Sequence, residues 1–568
     1  MQNLRNELQS ILRVAIEKAV AAGELPNIEL GKIIVQYPPA NQAILGDYAT
    51  PIALAIGKKS GKNPMEVATI IVKNIEPSEF FIKTEIIEPG FINFFLNPQW
   101  LTKKLDDVTE EGDRFGSNNQ GSGQTINLEF VSANPTGMPT FGNGRALFWA
   151  DSLGRVLEKS GWAVTREYYI NDVGNQVRIF GESILRSILR RRGIDVEYPE
   201  NMYQGDDVKI IAQKVEELYV EDVAHEFSEK DLADEAFINS LARKSVDTVI
   251  EEIRKMIEEK CKVHFDVWFS ERTLHEKGEV ADVLEKLKKA GLSYEKDDAV
   301  WFKATEFGDD KDRVLVKGDG HTTYFAPDIA YHLDKLGRGF SKIVNFWGAD
   351  HHGDVKRLLG GVKAVGGDVE KIQIILTQMV AVIEGGERKK MSKRAGTAIP
   401  LDKMVEEAGL SAARFILCMN SLSSHMDFDV DLAKEQTDRN PVYYVQYAYV
   451  RLASIIRKAK ETNVLDGVIP PPVRDIVPLR QVAEHELMRQ VYRFPEIVDD
   501  VATSWEVHRL PHYAIELAKS IHYFYDTVHV LNNENRNEQI TLILLILAAR
   551  QTLGNVLDLL GVEKIQVM

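Results

Sequence analysis

Residues 126 to 170 read INLEFVSANPTGMPTFGNGRALFWADSLGRVLEKSGWAVTREYYI. From Ile126 to Val131 apolar and polar residues alternate, the period of a strand. The next stretch, SANPTGMPTFGNGR, is punctuated by glycine and proline as a turn is. Leu147, Phe148, Leu153, Val156 and Leu157 then fall on one helical stripe, and WAVTREYYI supplies a second strand. Strand, glycine-rich turn, helix and strand make the βαβ unit of a nucleotide-binding sheet, with the helix N-terminus aimed at phosphate.

The alternation resumes after a long, charged, largely helical insertion at about 176–300. TTYF leads into a helix from Ala326, KIVNFWG is a strand and HGDVKRLLGGVKAVG a helix. IQIILTQMVAV then reads as one strand that delivers the chain to RKKMSKRAGT, residues 388–397. Five cations in seven residues, within a chain of net charge -16, suit a loop that grips an anion. Two βα-rich halves split by an insertion predict an α/β domain over 111–440, with a doubly wound, Rossmann-like parallel sheet whose ligands lie at the carboxyl ends of its strands.

The flanks read differently. Residues 1–110 predict a small α+β domain, with helices around 2–22 and 50–74 and a strand in FINFFLNPQW after Pro89-Gly90. Residues 111–123 are rich in Gly, Ser and Asn and read as a linker. From Pro441 to the end strand signals vanish, which predicts an all-helical domain over 441–568. Its apolar run Thr541 to Ala549 is too short to span a bilayer and reads as a core helix. Two cysteines exclude a disulfide framework and a cysteine-built zinc site, and point to a reducing cytoplasm. Each end block is two charges short of neutrality, so most of the negative charge sits in the centre. That distribution permits a polyanionic partner at the ends.

Several segments in this order resemble the arginyl-tRNA synthetases, a class I aminoacyl-tRNA synthetase family. They are GDYAT from Gly46, LEFVSANPTG from Leu128, EYYINDVGNQV from Glu167, DVWFSER from Asp266, TTYFAPDIAYHLDK from Thr322, WGADHHG from Trp347, KMSKRAG from Lys390 and NPVYYVQYA from Asn440. The resemblance implies ATP-dependent activation of L-arginine to arginyl-adenylate, then transfer to the terminal ribose of tRNA(Arg). It further implies Mg2+ accompanying ATP without a tightly bound protein metal, no membrane, and a monomer.

The resemblance also assigns residues. Lys390, Met391, Ser392 and Lys393 would hold ATP phosphates, with Pro135, Gly137, Thr140, Gly142, Asn143 and Gly144 of the first turn and His351 and His352 at the start of a later helix. Glu129, Ser132 and Asn134 would take the amino and carboxylate ends of arginine. Tyr324 and Asp328, four residues apart and so on one face of a helix, would take its guanidinium, with Asp350 reaching the substrate. Tyr443, Tyr444, Gln446, Tyr447 and Arg451 are expected to stack on and read unpaired tRNA bases, with Tyr449 beside them.

One departure stands out. The family's first turn ends in His-x-Gly-His, and here the positions read Thr140-Phe141-Gly142-Asn143. Neither replacement can become cationic as histidine can. A non-catalytic tRNA-binding relative is therefore a competing reading, as is a class I synthetase for another amino acid, which Asp328 argues against. If the enzyme reading holds, Lys393 carries more of the cationic stabilisation of ATP. Lys393→Ala is then expected to cut pyrophosphate exchange severely, and a mild effect would place the compensation elsewhere.

Overall fold

The computed structural model describes all residues except 1–2, 28, 30, 39–44, 224, 390–398 and 463–475. The amino-terminal block opens with helix α1 (Leu4–Ala21), capped by the Asn3 side chain, which accepts from Asn6 N. Strand β1 (Tyr48–Thr50) follows, then α2 (Ile52–Ser60) and α3 (Pro64–Lys73). What reads as one helix is two, because Gly61 turns the chain at φ 68°, a left-handed value that ends α2. Strands β2 (Phe81–Ile87) and β3 (Phe91–Leu96) complete an antiparallel sheet ordered β1-β3-β2.

The central block begins with β4 (Thr125–Glu129), α4 (Phe141–Lys159) and β5 (Ala163–Ile170), the βαβ unit the sequence predicts. Helices α5 (Asn175–Arg191), α6 (Asp206–Val223) and α7 (Glu235–Lys255) are the long helices of the insertion, and the shorter Arg272–Glu276 and Glu279–Lys289 follow them. The stretch read as insertion also contains β6 (Val267–Ser270), which pairs in parallel with β5 inside the main sheet. A small antiparallel sheet of β7 (Ser293–Lys296), β8 (Ala299–Phe302) and β9 (Arg313–Val316) comes next. The chain continues through α8 (Phe325–Gly337), β10 (Lys342–Gly348), α9 (His352–Ala364) and β11 (Ile372–Thr377). TTYF is no strand, and only Thr322 bridges to Val316.

The main sheet is parallel, in the order β11-β10-β4-β5-β6. From β4 the chain moves outward to β5 and β6, and from β10 it moves outward the other way to β11. The direction reverses between β4 and β10, and the crevice at their carboxyl ends is where such sheets bind ligands. Helix α8 packs Phe325, Ile329 and Ala330 into a core with Leu358 and Val362 of α9, Ile343 of β10 and Phe302 of β8.

IQIILTQMVAV is two strands. β11 ends at Thr377, and β12 (Val380–Glu384) belongs to another sheet, ordered β13-β12-β14 with β13 (Glu387–Lys389) and β14 (Met426–Asp429). The break has a distant cause. Arg145 of α4, fully buried, donates to the carbonyls of Gln378 at 3.0 Å, Ser424 at 2.8 Å and Ser421 at 2.7 Å. The Gln378 N–H donates to Leu422 O at 2.8 Å, so both backbone groups of Gln378 are bonded outside the main sheet. Helices α10 (Leu401–Ala408) and α11 (Leu410–Leu417) lie between β13 and β14.

The carboxyl-terminal block holds α12 (Pro441–Glu461), α13 (Val482–Ser504), α14 (Arg509–Thr527) and α15 (Arg536–Leu560). Helix α15 is long and apolar enough to cross a membrane, yet 83% of its apolar window is buried inside the fold. The chain divides into two compact units. One joins residues 1–118 to most of 441–568, and the other spans 119–440 with 560–562. Within the first unit, Glu496 of α13 is fully buried and accepts hydrogen bonds from Arg5 N at 2.9 Å, Tyr48 Oη at 2.7 Å and Tyr37 Oη.

Arg145→Met would leave the Gln378 and Ser424 carbonyls without this donor, while Ser421 O keeps the Ser424 N–H and hydroxyl. Because an unsatisfied buried acceptor costs about 1–3 kcal/mol, a loss of at least about 2 kcal/mol is expected in denaturant unfolding of the full chain. A change under about 1 kcal/mol would show that water or the backbone replaces the guanidinium.

Candidate active site

Glu129 closes β4 at the sheet's reversal point, and the chain behind it is bent. Val131 and Ser132 have φ of 69° and 38°, a region a β-branched residue adopts only when its surroundings force it. Those surroundings are present. Tyr168 Oη accepts from Ala133 N at 3.0 Å and donates to Ala133 O at 3.1 Å, and Ser132 Oγ accepts from Tyr169 N at 3.0 Å. The bend lets Ser132 Oγ donate back to Glu129 Oε1 at 3.0 Å. Glu129 Oε2 accepts from Lys335 Nζ of α8 at 2.6 Å. Asn134 is exposed and donates to Gln176 at 3.2 Å.

The first turn ends in a cap built by the two departing residues. Asn143 Oδ1 accepts from Thr140 N at 2.9 Å and Thr140 Oγ1 at 3.1 Å. The Thr140 hydroxyl hydrogen is therefore used inside the turn, and the Asn143 Nδ2 hydrogens are this pair's remaining donors. Pro135 and Gly137 are buried, and a Cβ on Gly142 would meet nothing closer than Thr140 Oγ1 at 3.7 Å, so that glycine is open. Gly144 faces the packed side of α4, where a Cβ would lie 2.7 Å from Leu401 Cδ1. Phe141 N donates to Ile399 O at 2.9 Å and Leu401 N to Pro139 O at 3.0 Å, an antiparallel bridge between the turn and the segment after residue 398. Lys390, Met391, Ser392 and Lys393 lie outside the described residues.

Tyr324 caps α8 and is 57% exposed, with its hydroxyl accepting from Arg357 Nη2 at 3.1 Å. Asp328 sits in the first turn of the same helix, and its N–H bonds Tyr324 O at 3.1 Å. Asp328 is half-buried, and protein packs densely round its carboxyl. Burial, then the charges of Glu271, Glu129 and Asp354, push Asp328 well above the usual carboxylate range. Arg357 opposes this weakly, because its guanidinium is committed to Asp354 and Tyr324.

Glu271, which follows β6 in the quoted DVWFSER segment, carries no role in the sequence reading. It is 7% exposed, its carboxylate bears on the buried Tyr169 hydroxyl, and it is the first charge acting on Asp328. No local signal marks it, because the insertion separates it from β5 in the chain while β6 lies beside β5 in the sheet. Three carboxylates thus converge, yet among the described residues no such group is placed to hold a metal ion. Asp350 is apart from them, its side chain 83% exposed and 3.8 Å from His351 Nε2. His351 pairs with Asp354 at 3.0 Å, and His352 begins α9.

In the helical block, Tyr443 and Tyr447 stack with ring centres 6.2 Å apart. Arg451 lies over Tyr447 at 4.8 Å and over Tyr525 of α14 at 4.5 Å, and Tyr444 packs against His522 at 4.5 Å. Gln446 is on the other side of the helix, 5% exposed and donating to Glu563 O at 2.9 Å, and Tyr449 is 5% exposed. Burial removes both from the exposed aromatic face. Tyr523 and Tyr525, absent from the sequence reading, are 47% and 37% exposed.

Comparison with known proteins matches each block of the chain to a described domain. Residues 6–96 match the arginyl tRNA synthetase N terminal domain, 106–436 the class I (R) tRNA synthetase catalytic domain, and 445–568 the DALR anticodon binding domain. The arginine–tRNA ligase of Moorella thermoacetica is 40% identical over 565 residues, covering 99% of this chain and 98% of the relative. That of Bacillus subtilis is 38% identical over 563, covering 99% of each. The solved arginyl-tRNA synthetase of Thermus thermophilus shares the fold at TM-score 0.74 and 20% identity, with both chains covered in full. The chain belongs to the arginyl-tRNA synthetases and is a class I aminoacyl-tRNA ligase.

Proposed function

We propose that this chain activates L-arginine with ATP and passes it to tRNA(Arg), with the amino acid lying between the ends of β4 and α8. The α-ammonium is placed at Glu129 and the guanidinium between Asp328, Glu271 and the Tyr324 hydroxyl. The observation that carries this is Asp328, a carboxylate whose surroundings are anionic and whose nearby arginine is already committed. A planar cation with paired donors relieves that arrangement. A glutamate or glutamine substrate brings no such cation.

In this reading the arginine carboxylate attacks the α-phosphorus of ATP and pyrophosphate leaves, so the protein's work is alignment and stabilisation of negative charge. The backbone of Pro135 to Asn143 forms one side of the phosphate site, His351 and His352 its rim, and Lys390 and Lys393 the cationic side. Mg2+ arrives with ATP as part of the substrate. The ribose hydroxyl of tRNA then attacks the acyl carbonyl and AMP leaves. Tyr443, Tyr444, Tyr447 and Arg451, extended by Tyr523 and Tyr525, offer rings and a cation to unpaired anticodon bases. The amino-terminal block takes the tRNA elbow, and the enzyme acts as a cytoplasmic monomer.

Arginine-dependent pyrophosphate exchange, run with and without tRNA(Arg), tests the reading. Exchange in either condition supports it, and none in both would sink it. Asp328→Asn is expected to lower arginine kcat/KM at least about a hundredfold, from loss of about 3 kcal/mol of charged hydrogen bonding, while ATP still binds. The raised Asp328 pKa fixes the sign of the pH dependence. The empty site takes a proton as pH falls through that value, and arginine must displace it, so wild-type KM for arginine rises on acidification. A KM that stays flat on acidification would remove Asp328 from the guanidinium site.

A further inference from the structure

Behind Glu129 lies a chain of buried polar groups that runs to the backbone of Asp328. Lys335 is 0% exposed, and its Nζ donates to Glu129 Oε2 at 2.6 Å and to Asn345 Oδ1 of β10 at 3.0 Å. Since the Asn345 oxygen is the acceptor, its Nδ2 donates, and it meets His332 Nε2 at 2.5 Å. That nitrogen must accept, so the hydrogen of the neutral imidazole is on Nδ1, which lies 2.7 Å from Asp328 O. Burial, then the charge of Lys335, drives His332 down to about 3, so the ring stays neutral. One hydrogen-bonding direction therefore runs from Lys335 through Asn345 and His332 to the backbone of Asp328.

We propose that Lys335 is a positioning residue for arginine. Held by β10 and α8, it fixes the Glu129 carboxylate for the substrate's α-ammonium and ties it to the turn that carries Asp328. The two ends of the substrate site are then held at one separation. This rests on the placement of arginine given above. The surroundings of Glu129 leave the task to Lys335. Asp328 and Tyr331 of α8 and Tyr169 of β5 face it without positive charge, and Arg338 is taken up by Glu167 with both nitrogens, at 2.7 and 2.8 Å.

The test compares arginine with 5-guanidinopentanoate, which lacks only the α-amine, as substrate and competitive inhibitor in tRNA charging. In Lys335→Met the KM for arginine is expected to rise about tenfold or more, the size of a lost charge-assisted bond, with kcat changed less than about threefold. The inhibition constant of 5-guanidinopentanoate should change less than about twofold, because it makes no use of Glu129. Equal weakening of both ligands would overturn the proposal. If the wild type itself fails to prefer arginine, the placement of arginine fails instead. Should Lys335→Met not fold, Asn345→Ala keeps the ion pair and cuts the link to His332. It is expected to weaken arginine selectively by a smaller factor, and equal weakening of both ligands would again overturn the proposal.

Discussion

The register of α8 on the main sheet is the constraint on which the cleft depends. Two ion pairs set it, Lys335 with Glu129 of β4 and Arg338 with Glu167 of β5, three residues apart on the helix. Burial alone would push Glu167 up, but the Arg338 hydrogen bonds, the Lys335 charge and the Tyr331 hydroxyl outweigh it and leave it below its ordinary value. Asn127 of β4 adds a further donor to Glu167 at 2.7 Å. Such pairs contribute little net stability, since desolvation offsets attraction, but removing one member leaves a stranded charge. Their value here is geometric. A helix held only by Phe325, Ile329 and Ala330 could slide on its apolar face, whereas one pinned at two charged points cannot.

That pinning brings carboxylates of three elements to one cleft. Glu129 has a cation behind it and Glu271 a tyrosine hydroxyl, but at Asp328 the like charges outweigh Arg357, so the site stores electrostatic strain. The bend at Val131 and Ser132 is a second strained element of the same site. Strain of both kinds persists where the surrounding structure over-determines it. Tyr168 and Tyr169 supply that surrounding structure from β5, making the first βαβ unit the scaffold as well as the edge of the cleft.

Much of this was legible in the sequence, for local reasons. The β4–α4–β5 unit announces itself through two periodicities and a glycine-rich turn, and the spacing of Tyr324 and Asp328 needs only the helical repeat. What was not legible depends on partners far along the chain. The break between β11 and β12 follows from Arg145, 233 residues before Gln378, and no property of IQIILTQMVAV signals it. Glu271 and β6 return to the sheet after a long excursion, so neither proximity nor pattern reveals them. Gln446 looked like its tyrosine neighbours until the carboxyl-terminal tail covered it.

The bridge between Pro139–Phe141 and Ile399–Leu401 is made of main-chain groups alone. Its strength is therefore indifferent to which side chains the two segments carry. A turn fastened in this way can exchange its histidines for a threonine and an asparagine without drifting from its partner, because the information that locates it is not written in those residues. Drift in the side chains of the first turn is thereby uncoupled from its attachment to Ile399–Leu401, and the turn can change its chemistry while keeping its place.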